Sequence, residues 1–265
     1  MIFVGTHHKT GTVLFGSVFK AVANELGLDF YTGSQRRLPA KTQVWFNEHS
    51  WIDRSAFAAI VGIHVVRHPL EVVCSAYRYH LGDGGAWFAS QESGERFNLN
   101  GQSYKQTLAT LSARDGTLFE MMHFSFETIM DMYNWDYNDS RFLNVRLEDV
   151  RRDFDGTFSR IFTFVGLEPA ECLPIAQRFD VNRMDQHRIN SMAHITNKGG
   201  DQTWQNYFSD REMIRTFNQS FPRNLLPKLG YSSAELHSHL DGLAGTPGKT
   251  RWAMALRQRF PSLFG

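Results

Sequence analysis

IFVGTHHKTGTVLFGSVFKAVANELG, residues 2–27, is the stretch from which the fold can be read. Ile2, Phe3 and Val4 form a short apolar run with the character of a buried strand, and Gly5 to Gly11 form a polar, glycine-punctuated turn. Val13, Leu14, Ser17, Val18, Ala21, Val22 and Leu26 then recur at helical spacing, with Gly27 placed as the stop. A strand, a loop and a helix in this order leave the loop amides and the unpaired N–H groups of the first helical turn around a point suited to an anion. Lys9 adds a mobile positive charge there, and Thr10 and Thr12 add hydroxyls. The sequence predicts a phosphate cradle.

The order of residues in the cradle narrows its type. The ATP-binding loop G-x-x-x-x-G-K-[ST] carries its lysine after the second glycine, whereas here Lys9 precedes Thr10-Gly11-Thr12. An ordinary strand-to-helix turn would show the same glycine spacing, so residues further along the chain have to decide.

At 265 residues the chain can build one large α/β domain or two small ones. Its 28 Lys and Arg against 27 Asp and Glu give no global field for nucleic acid, so any anion site must be local. Cys74 and Cys172 make neither a disulfide framework nor a zinc motif and fit a reducing compartment. No run approaches the ~18 apolar residues of a membrane-spanning helix, and the amino terminus enters a strand directly rather than a signal sequence. The expectation is a soluble, cytoplasmic protein without integral membrane segment or nucleic-acid partner. Its 22 phenylalanines suit a deep core or a pocket for a flat ligand.

Asp29 to Ala40 is polar and predicts a loop, Thr42 to Phe46 a second strand, and Ile52 to Ala59 a helix. Ile63 to Val66 is apolar apart from His64 and predicts a third strand, ended by Arg67, with Pro69 opening a helix to about Leu81. Gly82 to Gly101 holds Trp87, Phe88 and Phe97 among glycines and serines, the composition of a lid. Tyr104 to Trp135 predicts two helices broken near Gly116, followed by a strand over 142–147 and helices over 154–165 and 168–179. A last long helix is predicted over Trp204 to Phe221. Alternating strands and crossovers predict a three-layer α/β fold, its central sheet mainly parallel and flanked by helices, with ligands at the carboxyl ends of the strands.

Two further elements carry chemistry. Arg67, at a strand end, offers a forked pair of donors to a phosphate, and Ser75 lies eight residues on. Lys198-Gly199-Gly200-Asp201, followed by Trp204, is a glycine-bearing basic segment. Lys9-Thr10-Gly11-Thr12 resembles the 5′-phosphosulfate loop of the sulfotransferases that use 3′-phosphoadenosine 5′-phosphosulfate (PAPS). The Arg67-x-Pro69 to Ser75 pattern resembles their 3′-phosphate site, and the Lys198 segment resembles their carboxyl-terminal phosphate loop. With the three in the family's order, residues 1–230 are similar to a PAPS-dependent sulfotransferase with a P-loop-like fold.

The expected division is a sulfotransferase-like domain over 1–235 and a tail over 236–265, where Gly242, Gly245, Pro247 and Gly248 loosen the chain before an amphipathic helix in TRWAMALRQRF. The resemblance implies a PAPS site, with PAP (adenosine 3′,5′-bisphosphate) as product, made by His8, Lys9, Thr10, Gly11, Thr12, Val13, Arg67, Ser75, Phe179, Asn197, Lys198 and Gly199. Asn197 stands where the family usually has arginine, Leu14 where an aromatic often stacks on adenine, and Leu147-Glu148-Asp149 where Tyr-Glu-Asp is usual. A hydroxyl, or an amine, would attack sulfur in line, with Lys9 neutralising charge on the leaving oxygen and no metal required. The base would be His49 or Glu48, beyond the second strand, with His49 favoured because an unperturbed histidine titrates near neutrality. The acceptor is left open among small molecules, lipids and glycans, leaning towards a small or lipidic alcohol. A P-loop kinase and a non-catalytic adenosine bisphosphate binder are the alternatives.

Overall fold

Among the described residues five strands form one sheet: β1 (Ile2–Gly5), β2 (Phe30–Thr32), β3 (Val44–Asn47), β4 (Val61–Val66) and β5 (Phe142–Arg146), in the order β2-β3-β1-β4-β5. Every pairing is parallel. After β1 the chain runs to the β2–β3 side, and after β4 it runs to β5 on the other, so the topological switch lies between β1 and β4. This is a computed structural model, and it describes residues 1–82, 84–184 and 204–243. The chain divides into two compact units, Met1–His68 with Met130–Asp201, and Pro69–Ile129 with Gln202–Gly265.

The first unit contains the sheet. The period of two along each strand turns Ile2, Val4, Val44, Phe46, Ile63, Val65 and Val145 to one face. They pack there with helices α1 (Thr12–Glu25), α8 (Leu147–Arg152), α9 (Phe154–Val165) and α10 (Pro169–Ala176). Phe15 meets Phe158 at 5.6 Å between ring centroids, and Phe19 meets Phe162 at 6.0 Å. Each such buried ring contributes roughly 1.5–3 kcal/mol. The alternate residues Phe3, Trp45 and Phe142 pack with Trp135 on the opposite face.

The second unit is helical. Tyr77 and His80 on α2 (Pro69–Leu81), Phe88 on α3 (Gly85–Phe88), and Tyr104 and Leu108 on α5 (Tyr104–Ala109) pack with Phe119 of α6 (Ala113–Met122). Glu120 is wholly buried among them. Its carboxylate accepts from His80 Nδ1 at 2.8 Å, Tyr104 Oη at 2.9 Å and Ser125 Oγ at 2.7 Å. Burial alone would raise the Glu120 pKa, but the His80 charge and these donors together hold it below the usual carboxylate range.

Several sequence expectations give way. Residues 30–32, expected as loop, are the edge strand β2, too short to register as a periodic run. The helix expected over 52–59 is a single 3₁₀ turn, Arg54–Ala56, capped by Asp53. There the Arg54 guanidinium lies 3.9 Å from the centre of the Trp135 ring. The lid composition of 82–101 instead builds α3 and α4 (Gln91–Arg96). Phe88 is buried, Trp87 and Phe97 pack against the aromatic core, and Ser93 ties Phe88 O to Tyr104 N.

Gly116 does not break a helix but lies inside α6, where a Cβ would stand 2.5 Å from the Tyr77 ring. The breaks fall instead at 110–112 and at His123, ahead of α7 (Phe124–Asn134). The long helix expected from Trp204 is a 3₁₀ turn, Trp204–Asn206, and then Arg211–Ser220. Helix Ala234–Gly242 spans the expected 235/236 boundary, with Leu236 buried and His239 bonded to Phe208 O at 2.8 Å. The basic tail segment after 243 lies outside the described residues. Among the described residues no helix is long and apolar enough to cross a membrane.

Candidate active site

The loop after β1 is built around His7. Its N–H donates to Thr10 Oγ1 at 2.8 Å, and its carbonyl accepts from Thr10 N at 3.1 Å and from the hydroxyls of Thr10 and Thr12, both at 2.9 Å. Inside this turn Lys9 has φ 63, a left-handed conformation that non-glycine residues adopt at a cost of about 1–3 kcal/mol. The turn's hydrogen bonds to His7 lie on both sides of it in sequence. Gly11 follows at φ 98 as the N-cap of α1, and a Cβ at that position would stand 2.9 Å from Leu147 Cδ1. The positive φ is what favours glycine here, and the Leu147 side-chain end would have to shift for a Cβ.

Thr10 is fully buried, its hydroxyl committed to His7, whereas Thr12 is half-buried and Val13 exposed. The N-terminus of the 14-residue α1 therefore opens beside Lys9 and Val13, with backbone N–H groups as its donors.

Arg67 ends β4, is buried, and donates from Nη1 to the Lys9 carbonyl at 3.0 Å. Arg67 thus reaches the main chain of the Lys9 loop across the β1/β4 switch point. The next residue, His68, donates its N–H to Glu148 Oε1 at 2.9 Å. Leu147 and Glu148 therefore act at the site's edge, packing on Gly11 and holding the backbone after Arg67.

Beyond β3, Asn47 Oδ1 accepts from the N–H groups of His49 at 3.0 Å and Trp51 at 3.1 Å, closing an Asx-type turn. Ser50, at φ 54, donates its hydroxyl to Thr6 O at 2.9 Å. That bond fastens the turn carrying Glu48 and His49 to the Lys9 loop. Glu48 and His49 are both exposed. The His49 ring lies on Trp51 at 4.6 Å, and Trp51 Nε1 donates to Asp131 Oδ2 at 3.1 Å. Asp131 is pushed up by burial, against the pull of the Trp51 hydrogen bond and the His49 charge.

Under the loop, His7 Nε2 and His64 Nε2 are 2.8 Å apart, and His64 Nδ1 is 3.0 Å from Asn144 Oδ1. Both histidines are buried. Burial lowers the His64 pKa to about 3, and burial, then His64, then His49 hold His7 well below the usual histidine range. A histidine so hard to protonate is a poor general base.

Of the remaining expected residues, His8 is half-buried in the loop and Ser75 is buried on α2 in the second unit. Phe179 is partly buried against the core cluster of α1, α9 and α10. Asn197, Lys198 and Gly199 lie outside the described residues. His64, Asn144, Ser50, Asn47, Asp131 and Trp51 are not marked by the sequence as site residues. Only His64 leaves a trace, as the one polar side chain in an apolar strand. Among the described residues no three His, Cys, Asp or Glu side chains group as a metal site.

Residues 59–229, more than half of the chain, match the family described as the sulfotransferase domain. No curated protein matches the sequence. Among solved structures, the mouse sulfotransferase SULT7A1 complexed with PAP superposes with a TM-score of 0.51 at 16% identity, over 91% of this chain and 87% of that one. A retinol dehydratase in complex with androsterone and inactive cofactor PAP gives 0.50 at 14% identity, over 92% of this chain and 82% of that one. At such identities the likeness speaks for the fold, the parallel sheet flanked by helices. Joined to the sequence match, it places this chain in the sulfotransferase family.

Proposed function

We propose that the protein transfers the sulfuryl group of PAPS to a hydroxyl acceptor by in-line displacement, releasing PAP. The observation that carries this reading is the meeting of Lys9 and Arg67 at the β1/β4 switch, where Arg67 Nη1 reaches the Lys9 carbonyl at 3.0 Å. The cradle fits a phosphosulfate in a specific respect: Gly11 leaves the helix N-terminus open where any side chain would crowd Leu147. Loop amides would hold the 5′-phosphate. Arg67 would pair with the 3′-phosphate, with Lys198 and Gly199 as further candidates for that grip.

PAPS supplies an activated sulfuryl group on a good leaving group. The chain's part is to place the acceptor in line and neutralise the charge that develops on the leaving oxygen. Lys9 is assigned that neutralisation, and its turn already holds it in a strained conformation. His49 is assigned proton removal from the acceptor, with Glu48 beside it as the other candidate. Trp51, 63% exposed and stacked on His49, supports an acceptor that brings a flat or apolar face to the base, such as a small or lipidic alcohol.

The test is transfer of labelled sulfuryl from PAPS across a panel of phenols, alcohols, amines and glycans, with Lys9→Ala alongside. Transfer by the wild type and a loss of ~10² or more in the variant are expected, the scale of removing a preorganised charge contact. Near-normal turnover in Lys9→Ala would remove the mechanism.

A further inference from the structure

His64 is the residue that the apolar pattern of β4 does not account for. The period of two turns it away from the Ile63 and Val65 face, and its ring stacks on Trp135 at 4.1 Å with Tyr137 edge-on at 5.6 Å. Parallel register puts it level with Gly5 of β1 and Asn144 of β5. His7, two residues beyond Gly5, closes the contact from the Lys9 loop.

Proton positions follow from this chain of contacts. With Asn144 Oδ1 accepting, His64 carries its proton on Nδ1 and presents a lone pair at Nε2. The 2.8 Å contact is then made by His7 Nε2–H, which leaves His7 Nδ1 as a bare acceptor. The opposite polarity would have His64 donate from Nε2 and the Asn144 amide turned so that Nδ2 donates to His64 Nδ1. The groups facing the pair are His49, Arg54, Trp135, Tyr137 and Asn144.

On its other side His7 is the residue to which the turn of residues 7–10 is tied by main-chain N–H and carbonyl. A left-handed Lys9 persists only where its surroundings over-determine it. We propose that Asn144, His64 and His7 form a positioning chain that locks His7 as the Nε2–H tautomer and thereby holds Lys9 in the geometry needed for transfer. This rests on the sulfotransfer reading. The role assigned to His7, His64 and Asn144 is to act through Lys9.

Two measurements on the full-length protein test it. In ¹⁵N-histidine-labelled wild type at neutral pH, with signals assigned from His64→Phe, His7 should appear as the Nε2–H tautomer and His64 as the Nδ1–H tautomer. His7 protonated on Nδ1, or an imidazolium at either residue, would overturn the proposal. In kinetics, His64→Phe keeps a ring on Trp135 but removes the hydrogen bond. It should lower kcat by about 10- to 100-fold, the cost of a misplaced catalytic group, with the acceptor KM little changed. The same substitution in a Lys9→Ala background should cost almost nothing further, because its effect passes through Lys9. An equal factor in both backgrounds would mean a structural role only and would sink the proposal. Absence of transfer by the wild type would instead refute the sulfotransfer reading while leaving the tautomer measurement standing.

Discussion

Glu120→Ala is the substitution whose consequence the structure fixes most closely. The carboxylate is wholly buried and accepts three hydrogen bonds, from His80, Tyr104 and Ser125. Alanine leaves those three donors buried without their acceptor. Removing one partner of a buried pair costs about 3–5 kcal/mol. For a chain of this size each kcal/mol lowers Tm by roughly 2–4 °C, so thermal denaturation at pH 7 should show a drop of about 6–20 °C. Glu120→Gln should fall well short of that, because the amide oxygen can keep His80 and Tyr104 while the Ser125 hydroxyl rotates to accept.

The pH dependence has a definite sign. The folded Glu120 pKa lies below its unfolded value, so its contribution is complete above the unfolded value and is lost as pH falls through the folded one. The gap in Tm between wild type and Glu120→Ala should therefore be widest near neutrality and close below about pH 4. A Tm within about 2 °C of wild type at pH 7, or a gap that widens in acid, would refute the view that a charged carboxylate organises the aromatic core of the second unit.

Two predictions concern the anion loop and the base. Gly11→Ala puts a β-carbon on a left-handed residue, a cost of about 1–2 kcal/mol; the nearest obstacle, Leu147 Cδ1, is the movable end of a side chain. Calorimetric titration with PAP should show clearly weakened binding in a folded protein, and wild-type affinity would mean that the cradle is not where the nucleotide sits. His49→Ala and Glu48→Ala should separate in their pH profiles of kcat/KM. The variant that loses the acidic limb identifies the base, and two unchanged profiles would exclude both.

The parts of the site that the sequence made legible are those written in consecutive residues. The Lys9 loop follows its strand within a few positions, and Arg67 directly ends β4, so periodicity and punctuation located both. Residues whose partners are fixed by sheet order were not legible. Ser50 finds Thr6 44 positions away, and His64 finds Asn144 80 positions away, because β1 lies between β3 and β4, and β4 pairs with β5. The same difference explains the misread helices. Gly116 reads as a breaker until the Tyr77 ring that occupies its missing β-carbon is known, and the glycines and serines of 82–101 read as a lid until Ser93 is seen joining Phe88 to Tyr104.

A consequence for the site follows from this division. The sheet alone brings Lys9 and Arg67 together, since any right-handed crossover fold with strand order β2-β3-β1-β4-β5 must place the ends of β1 and β4 side by side. It does not set the backbone angles of Lys9. Those depend on the Thr10 and Thr12 hydroxyls and on what anchors His7 from below. An anion could therefore bind to the fold's loop without the buried histidines, whereas a lysine poised on a leaving oxygen could not be held by the loop alone. That is why the two kinds of variant should part company: Gly11→Ala in binding, His64→Phe in turnover.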